Sequence, residues 1–536
     1  MFKLMGIIVA LGATLALPFS LRPERRVLGA ADGTVVIITP HNEATRQEFG
    51  RGFQTWYRER TGQSVTVDWR VVGGTSEIAR VIEGAYNSAF ERHWTAQAGR
   101  SWSAEIQAGF MNPKLGADTK EVVRAARAEF LASEVSCGID LFFGGGSYDF
   151  VRQAQAGRIV PSRIRKTHPE WFSDAVIPRI FTGEQYWDDE GSWVGNVLSS
   201  YGILYNFDAL RRLGLEPPEA WRELGDPRYM GALALCDPTK SSSMAKAFEN
   251  IVQQEIWQAS RDAPGGTGSA GSEAIRRGWK MGLNTVLRLA ANARYFTDSS
   301  QKPPIDVAQG DCAAGICIDF YGRAQAEAVA GRGTARLGFV TPHGGTVSSV
   351  DPIALLRGAP HREAAELFIE YTLTLDAQKL WSFKPGSPGG PTQFALRRLP
   401  VRRDFYEHTE WKSMRSDPEA APFSDPFPLV YRPEWTAHLI RELAFVVRVM
   451  CLDGHGELMS AMKAINECRL TDRRRAEAAM AQLLEIDGVD YEQVGGRIRA
   501  VLNARSKVDE VRLATELGDR FRRQYREAEA IARGEK

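Results

Sequence analysis

Four times in this chain, a short apolar run ends in small or hydroxyl-bearing residues and a helical pattern begins at once. The four turns are residues 39–42, 73–76, 144–147 and 239–243. Strands that alternate with helices build a sheet covered by helices, because parallel neighbours need a crossover connection. The pattern predicts an α/β fold. At 536 residues the chain exceeds what one hydrophobic core organises, so we expect two lobes with additions.

These turns also predict a binding site. The first N–H groups of a helix are unpaired and carry a partial positive charge, so several helix starts aimed at one cleft suit an anionic or strongly polar solute. In each turn, the alternative is that a side chain merely caps its helix. Three successive hydroxyls exceed what one cap needs, which favours a site at the last turn. The candidate ligand residues in the turns are Thr39, His41, Asn42, Gly145, Gly146, Ser147, Ser241, Ser242 and Ser243.

A fifth candidate region follows the apolar run 313–318, which is typical of a buried strand. Side chains alternate along a strand, so we expect Asp319 and Tyr321 to point to one face. They would then meet a ligand outside the carboxyl end of the strand. The alternative is that Asp319 caps the next helix and Tyr321 packs between layers.

Several function classes find no support in the residues. The formal net charge is +1 and no basic stripe occurs, so nucleic acid is not expected as a partner. Lys240 lacks the G-x-x-x-x-G frame of a nucleotide-binding loop, and the chain contains neither H-E-x-x-H nor G-x-S-x-G. We therefore expect a protein that is not an enzyme and uses no cofactor.

Residues 1–31 are typical of an export signal. Lys3 precedes the apolar run 4–21, and Ala30 and Ala31 supply small residues behind it. The charged residues 22–26 and the length of the run leave an uncleaved membrane anchor as the alternative. Both interpretations place the body of the protein in the periplasm. Its six cysteines are compatible with disulfides there, but their pairing does not follow from the sequence.

Six segments in order resemble the periplasmic solute-binding proteins of ABC transporters, in the group that includes ferric-ion, phosphonate, sugar-phosphate and thiamine binders. The segments lie between about residues 35 and 385: VVIITPHNEATRQEF, DLFFGGGSYDF, SWVGNVLSSYGILYN, LALCDPTKSSSMAKAF, GDCAAGICIDFYGRAQAE and VSSVDPIALLRGAPHREAAELFIEYTLT. The resemblance implies a two-lobed, type II periplasmic-binding (Venus flytrap) fold. It also implies capture of a small polar or anionic solute by a monomer that delivers it to a permease.

The resemblance also divides the chain. Lobe one takes residues 33–200 and 322–400, with an insertion at 86–134, and lobe two takes residues 201–321. Residues 401–536 form a helical extension outside the minimal pattern. The lobe crossings are expected near 198–202 and 317–321, which adds Ser199 to the candidate ligand residues.

Ferric members of this group bind metal through a His after the first strand, a Glu after the strand that resembles DLFF, and two adjacent tyrosines. This chain keeps His41, but glycines replace the Glu and Phe320 stands at the first Tyr. Ferric ion needs hard oxygen donors, so the usual ferric site is not expected. A non-standard iron site of His41, Asp319 and Tyr321 remains as a fallback.

Two further alternatives use the same lobes. The first is an anchored extracytoplasmic sensor or scaffold that reports its ligand through the helical extension. The second is a hydrolase or lyase with Asp319 as base and His41 as acid, although the sequence offers no activated nucleophile for it.

Overall fold

The computed structural model describes residues 31–97, 99–262, 271–330, 335–424, 428–504 and 506–535. The predicted export segment, residues 1–31, lies outside these ranges except for its last residue. Within the described ranges, no helix combines the length and apolar character that crossing a membrane requires.

The strands form two main sheets. Their bounds are β1 Gly33–Ile38, β2 Val65–Arg70, β3 Leu141–Phe143, β4 Ile159–Val160, β5 Ile180–Phe181, β6 Glu184–Gln185, β7 Trp193–Ser199, β8 Tyr201–Asn206, β9 Leu233–Cys236, β10 Ala293–Thr297, β11 Ala314–Ile318, β12 Leu337–Val340, β13 Ser349–Leu356 and β14 Leu399–Pro400.

Helices cover both sheets. Their bounds are α1 Glu43–Thr61, α2 Thr75–Thr95, α3 Ala104–Gly109, α4 Glu121–Ala132, α5 Ser147–Gln155, α6 Ile164–Thr167, α7 Phe207–Leu213, α8 Ser242–Arg261, α9 Ser272–Asn292, α10 Lys302–Gln309, α11 Asp319–Val329, α12 Arg362–Leu373, α13 Leu375–Ser382, α14 Pro433–Thr436, α15 Ile440–Val447, α16 His455–Arg469, α17 Arg473–Leu483, α18 Tyr491–Gln493, α19 Arg499–Asn503 and α20 Lys507–Arg533.

The first sheet has the order β14-β7-β13-β3-β1-β2, with β4 paired to β13. Strands β1, β2 and β3 run parallel, whereas β13 runs antiparallel to β3 and β7. The buried residues of β1, Val35 to Ile38, are all β-branched, and helices α1 and α12 pack against this region. These elements form lobe one.

The second sheet has the order β10-β9-β11-β8-β12 and forms lobe two. The chain passes from the first sheet to the second between Ser199 and Tyr201, within the first expected crossing. The second expected crossing, near 317–321, does not occur there. Strand β12 still pairs antiparallel with β8, so the return to the first sheet lies between Val340 and Ser349 and not at residue 322.

The insertion and the extension have different partners. The insertion contributes Phe90, Phe110 and Phe130 to the core of lobe one. From Trp435 onward, the extension shares one continuous core with lobe two. For example, the indole N–H of Trp279 on α9 donates to the carbonyl of Val489 at 3.0 Å.

The six cysteines, all within the described ranges, are present as free thiols, and all except Cys137 are buried. No pairing among them contributes to this fold. The core and the contacts between helices and sheets hold it together.

Candidate functional site

A cavity of 750 Å³ lies between the two lobes, and we call it the interlobe cleft. Lobe one lines it with the chain after β1 and with the turns that precede α2 and α5. Lobe two lines it with residues 240–243 and 298–301, and with the chain that follows β11. Six strand ends, three from each sheet, therefore meet at one space, as the strand, turn and helix pattern predicts. The predicted ligand residues that line this cleft are His41, Asn42, Gly145, Ser241, Ser242, Ser243 and Tyr321.

The four helix starts differ in how they are capped. The side chain of Asn42 accepts a hydrogen bond from the backbone of Thr45 at 3.0 Å, and that of Ser241 accepts one from Met244 at 3.3 Å. The capping alternative therefore describes these two residues. Helices α2 and α5 start after Gly74 and Gly146, which have no side chain to offer as a cap. The N–H groups of these two helix starts are the ones left for a ligand.

A hydrogen bond joins the lobes directly across the cleft. The hydroxyl oxygens of Thr75, at the start of α2, and Ser242, at the start of α8, are 2.7 Å apart. The buried carboxyl of Asp149 on α5 lies beside both hydroxyls. Burial raises the pKa of Asp149, and hydrogen bonds from Thr75 and Ser242 oppose that rise. Gly145 permits this approach, because its φ is +112° and an added Cβ would lie 2.4 Å from the Thr75 methyl.

We call the hydrogen bond between Thr75 and Ser242 the bridge. A second cavity, with a volume of 620 Å³, lies on its other side, and we call it the second chamber. Ser242 and Ser243 line both cavities. The predicted residues Gly146 and Ser147 line the second chamber rather than the cleft. Part of its wall comes from the helical extension, between residues 431 and 442 and at Arg499 and Asn503.

A buried arginine supports the floor of the cleft. The Arg398 side chain is 1% exposed, and its Nη2 donates to Ser199 Oγ at 2.6 Å and to Asp351 Oδ2 at 2.5 Å. Its Nη1 lies 3.3 Å from His41 Nε2, and its guanidinium lies 4.2 Å from the centre of the Phe320 ring. Ser199 therefore holds this cluster together and does not line the cleft.

The cluster sets the ionisation of two groups. Burial, and then the charge of Arg398, lower the pKa of His41 well below its ordinary value, so the imidazole is neutral. Burial raises the pKa of Asp351, and Arg398 opposes that rise. Thr39 has a structural role below the cluster, because it is fully buried and its hydroxyl donates to the carbonyl of Phe143 at 2.7 Å.

The expected convergence of Asp319 and Tyr321 is wrong. Strand β11 ends at Ile318 and α11 begins at Asp319, so these two residues are about 200° apart around a helix and do not share a strand face. Tyr321 lines the cleft, and burial raises its pKa to about 12. Asp319 is 1% exposed, forms an ion pair with Arg323 and lines a separate cavity of 220 Å³.

The same placement bears on the fallback iron site and on the enzyme alternative. The Nε2 atom of His41 faces the Arg398 guanidinium, and Asp319 lines a different cavity, so the cleft does not assemble His41, Asp319 and Tyr321 as ligands. Nor does it place His41 and Asp319 at one reacting position. Throughout the described ranges, no three His, Cys, Asp or Glu residues are grouped to hold a metal ion.

Sequence reasoning missed several residues of the site. A local pattern points to Thr75, because its turn has the same strand, turn and helix sequence as the other three. No local pattern points to Arg398 or Asp351, since their contacts with His41 join positions more than 300 residues apart.

Comparison with known proteins supplies a family. Residues 135–405 match the sequence model of a family described as bacterial extracellular solute-binding protein. An uncharacterized protein of Haemophilus influenzae is 24% identical over 243 residues, which cover 45% of this chain and 60% of that protein. The phosphoglycerate transport regulatory protein PgtC of Salmonella typhimurium is 26% identical over 190 residues, which cover 35% of this chain and 40% of PgtC. The chain thus spans about half the length of these curated relatives.

Solved structures of periplasmic binding proteins also align with the chain. AfuA from Actinobacillus pleuropneumoniae, with fructose-6-phosphate bound, aligns with a TM-score of 0.43 and 17% identity over 72% of this chain and 99% of AfuA. Iron-bound HitA from Pseudomonas aeruginosa aligns with a TM-score of 0.45 and 17% identity over 77% of this chain and 99% of HitA.

Proposed function

Because the chain belongs to the bacterial extracellular solute-binding proteins, we propose that it captures a small polar solute in the interlobe cleft and delivers it to the permease of an ABC transporter. Residues 1–31 direct export to the periplasm, where the protein acts as a monomer, either after cleavage or held at the inner membrane. The observation that carries the proposal is the cleft itself, which takes side chains from both lobes and from the chain after β11.

The charges that line the cleft narrow the class of solute. Three of its carboxylates, those of Glu43, Glu77 and Asp298, face two cationic side chains, those of Arg46 and Lys240, while the fourth, Asp351, is paired with Arg398. These charges nearly balance, so the lining offers a bare oxyanion no net attraction. Hydroxyl and amino groups would be attracted, because carboxylates accept hydrogen bonds from both. The cleft therefore favours a polyhydroxylated or amine-bearing solute.

The name of PgtC refers to the transport of phosphoglycerate, an anion. The carboxylates of this cleft argue against transferring that solute to this chain's cleft. We take from this relative only the association with solute uptake.

The test begins with native mass spectrometry of the protein purified without added solute, because closed clefts retain their ligands. Calorimetry with the solute so identified then compares Tyr321→Phe with Tyr205→Phe, a matched change in the second sheet outside the cleft. We expect Tyr321→Phe to weaken binding by about 1–3 kcal/mol, the cost of an unmade hydrogen bond to a desolvated group. Tyr205→Phe should leave the affinity unchanged.

Small-angle scattering supplies the second arm of the test. Because Thr75 and Ser242 touch across the cleft, the structure corresponds to the closed form. The solute should reduce the radius of gyration by closing the lobes. An unchanged radius of gyration at saturating solute, with equal affinities in both tyrosine variants, would refute the proposal.

One observation favours a sensor as the second candidate. The extension contacts both lobes at Tyr431, whose backbone N–H donates to Thr182 of lobe one at 2.8 Å and whose hydroxyl donates to Glu249 of lobe two at 2.8 Å. Lobe closure would therefore act on the extension. Crosslinking in membranes of the native host decides between the two: capture of a permease supports transport, and capture of a signalling kinase supports the sensor.

A further inference from the structure

The second chamber differs from the cleft in charge. Five cationic side chains line it, and only two carboxylates do. The cationic residues are Lys114, Arg152, Lys246, Arg441 and Arg499, and the carboxylates are Glu184 and Glu442. They come from the insertion, from both lobes and from the extension, so the two segments outside the minimal family pattern both contribute.

One of these cations is already neutralised. Lys246 Nζ lies 2.7 Å from Glu184 and 3.0 Å from Glu249, and it stands 3.4 Å over the ring of Tyr431. Burial alone would lower the pKa of Lys246, but the two carboxylates hold it well above its ordinary value. The charge of Lys246 is therefore balanced by protein groups and needs no ligand.

The three arginines are not neutralised. Among the described residues, the guanidinium groups of Arg152 on α5, Arg441 on α15 and Arg499 on α19 have no hydrogen-bond acceptor and no carboxylate within 4.0 Å; Arg152 only stands over the ring of Tyr148. Glu442 is 3% exposed, and burial raises its pKa against the charges of these same arginines. One such carboxylate does not balance three guanidinium groups. Three like charges at one cavity repel each other, and a bound anion would remove that repulsion.

The start of helix α5 is an independent feature that also favours an anion in the second chamber. Helix α5 starts at the chamber wall after Gly146, which offers no side-chain cap, and Ser147 and Tyr148 of its first turn line the chamber. Unpaired N–H groups and the partial positive charge of a helix start attract anions. The rest of the wall includes Trp193 and Tyr201, which suit the organic part of a small molecule.

We propose that the second chamber binds a small organic anion that carries at least two phosphate or carboxylate groups. Arg152, Arg441 and Arg499 bind the anionic groups together with the first turn of α5. The site lies beyond the Thr75 to Ser242 bridge and is distinct from the cleft of the proposed function. Since lobe one and the extension supply the arginines, and lobe two supplies Ser242 and Ser243, the anion contacts all three parts of the protein.

Calorimetry on the purified full chain tests this site, with inorganic pyrophosphate and citrate as probes. The test variant is Arg441→Gln/Arg499→Gln. The control is Arg469→Gln/Arg474→Gln, which removes the same charge from exposed positions of the extension outside the chamber. We expect the test variant to raise the dissociation constant at least about tenfold, as for lost charge-assisted hydrogen bonds, and the control to leave it within about twofold. Tighter binding of pyrophosphate assigns phosphate groups to the site, and tighter binding of citrate assigns carboxylates; either result supports it.

Two further variants keep the test decisive. If the double variant fails to fold, Arg152→Gln on the exposed surface of α5 tests the same site alone. Lys240→Gln removes a cation from the cleft and not from the chamber. If Lys240→Gln weakens the binding of the probe and the chamber variant does not, the anion binds in the cleft, which overturns this inference and leaves solute capture in place. Equal losses in the test and control variants, or no binding of either probe to the wild type, also overturn it.

Discussion

The hydrogen bond between Thr75 and Ser242 joins the two lobes directly, and a double-mutant cycle can measure it. Thr75→Val replaces the hydroxyl by a methyl and keeps the packing against Gly145, while Ser242→Ala removes the other hydroxyl. Neither change removes a helix cap, because the cap of α8 is Ser241. The cycle therefore isolates the contact across the cleft.

The size of the coupling follows from the partners. A neutral hydrogen bond contributes about 0.5–1.5 kcal/mol net, and one to a charged acceptor contributes about 1.5–3 kcal/mol. The buried Asp149 lies beside both hydroxyls, and the one that does not donate to the other is free to donate to this carboxyl, so each single change disturbs its hydrogen bonding. We expect each single variant to lose about 1–3 kcal/mol of unfolding free energy, with a coupling of about 1 kcal/mol between them.

The assay is urea unfolding of the four proteins with the solute identified by mass spectrometry present at saturation, because the bridge belongs to the closed form. Unfolding is followed by both tryptophan fluorescence and far-ultraviolet circular dichroism. The two probes must give coincident transitions, because a two-lobed protein does not always unfold in one step. The cycle of Thr75→Val with Ser243→Ala is the control, since Ser243 is the adjacent hydroxyl and makes no bond to Thr75. A coupling at Ser242 within about 0.3 kcal/mol, the ordinary limit of additivity, would refute the bridge.

Three other predictions concern single residues. Ser241→Ala should lower the unfolding free energy by about 1 kcal/mol in urea, because its hydroxyl caps α8, whereas Ser243→Ala should leave it unchanged. For Asp149→Asn, the expected effect depends on pH: the raised pKa of Asp149 means that its contribution to stability is greatest below the unfolded value of 3.8 and is lost as pH rises through the folded value. The variant should therefore gain stability relative to the wild type across that window, and a difference independent of pH, measured by urea unfolding at several pH values, would contradict this. Asp319→Asn should cost about 3 kcal/mol, because it removes the buried charge beside Arg323 and leaves that guanidinium only the longer ion pair with Asp417 at 3.7 Å, and it should not change solute affinity by calorimetry; a matching loss of affinity would return Asp319 to the binding site.

The turns that line the cleft could be predicted from the local sequence. Asn42, Gly145 and Ser241 to Ser243 lie in turns between a strand and a helix, and the carboxyl ends of strands in such sheets face the ligand space. Because the pattern specifies where each turn lies, it was sufficient to bring these residues together. It did not separate the residues that cap helices from the helix starts that remain open, since capping depends on side-chain geometry.

The wrong predictions concern two kinds of position: those where a strand changes into a helix, and those that contact residues far away in the sequence. Asp319 lies one residue after the end of β11, and only a strand that continued through Tyr321 would have placed the two side chains on one face. The contact of Arg398 with His41 depends on the course of the chain after β13, which local patterns do not record. The β12 strand looked like a return to lobe one, because a short apolar strand does not indicate which sheet it joins.

The shared core of the extension and lobe two has a consequence for the order in which the protein matures. Trp279 and Leu283 on α9 are fully buried in this core, and Trp279 donates to Val489 of the extension, which is synthesised after lobe two. Until the extension arrives, lobe two presents an apolar helix face to solvent, and a chain that stops near residue 400 keeps that face exposed permanently. We expect such a truncated chain to aggregate rather than to yield a smaller binding protein, and its sedimentation beside the full chain would show this. Lobe two therefore becomes stable only after the extension has been made, although its sheet lies in the middle of the sequence.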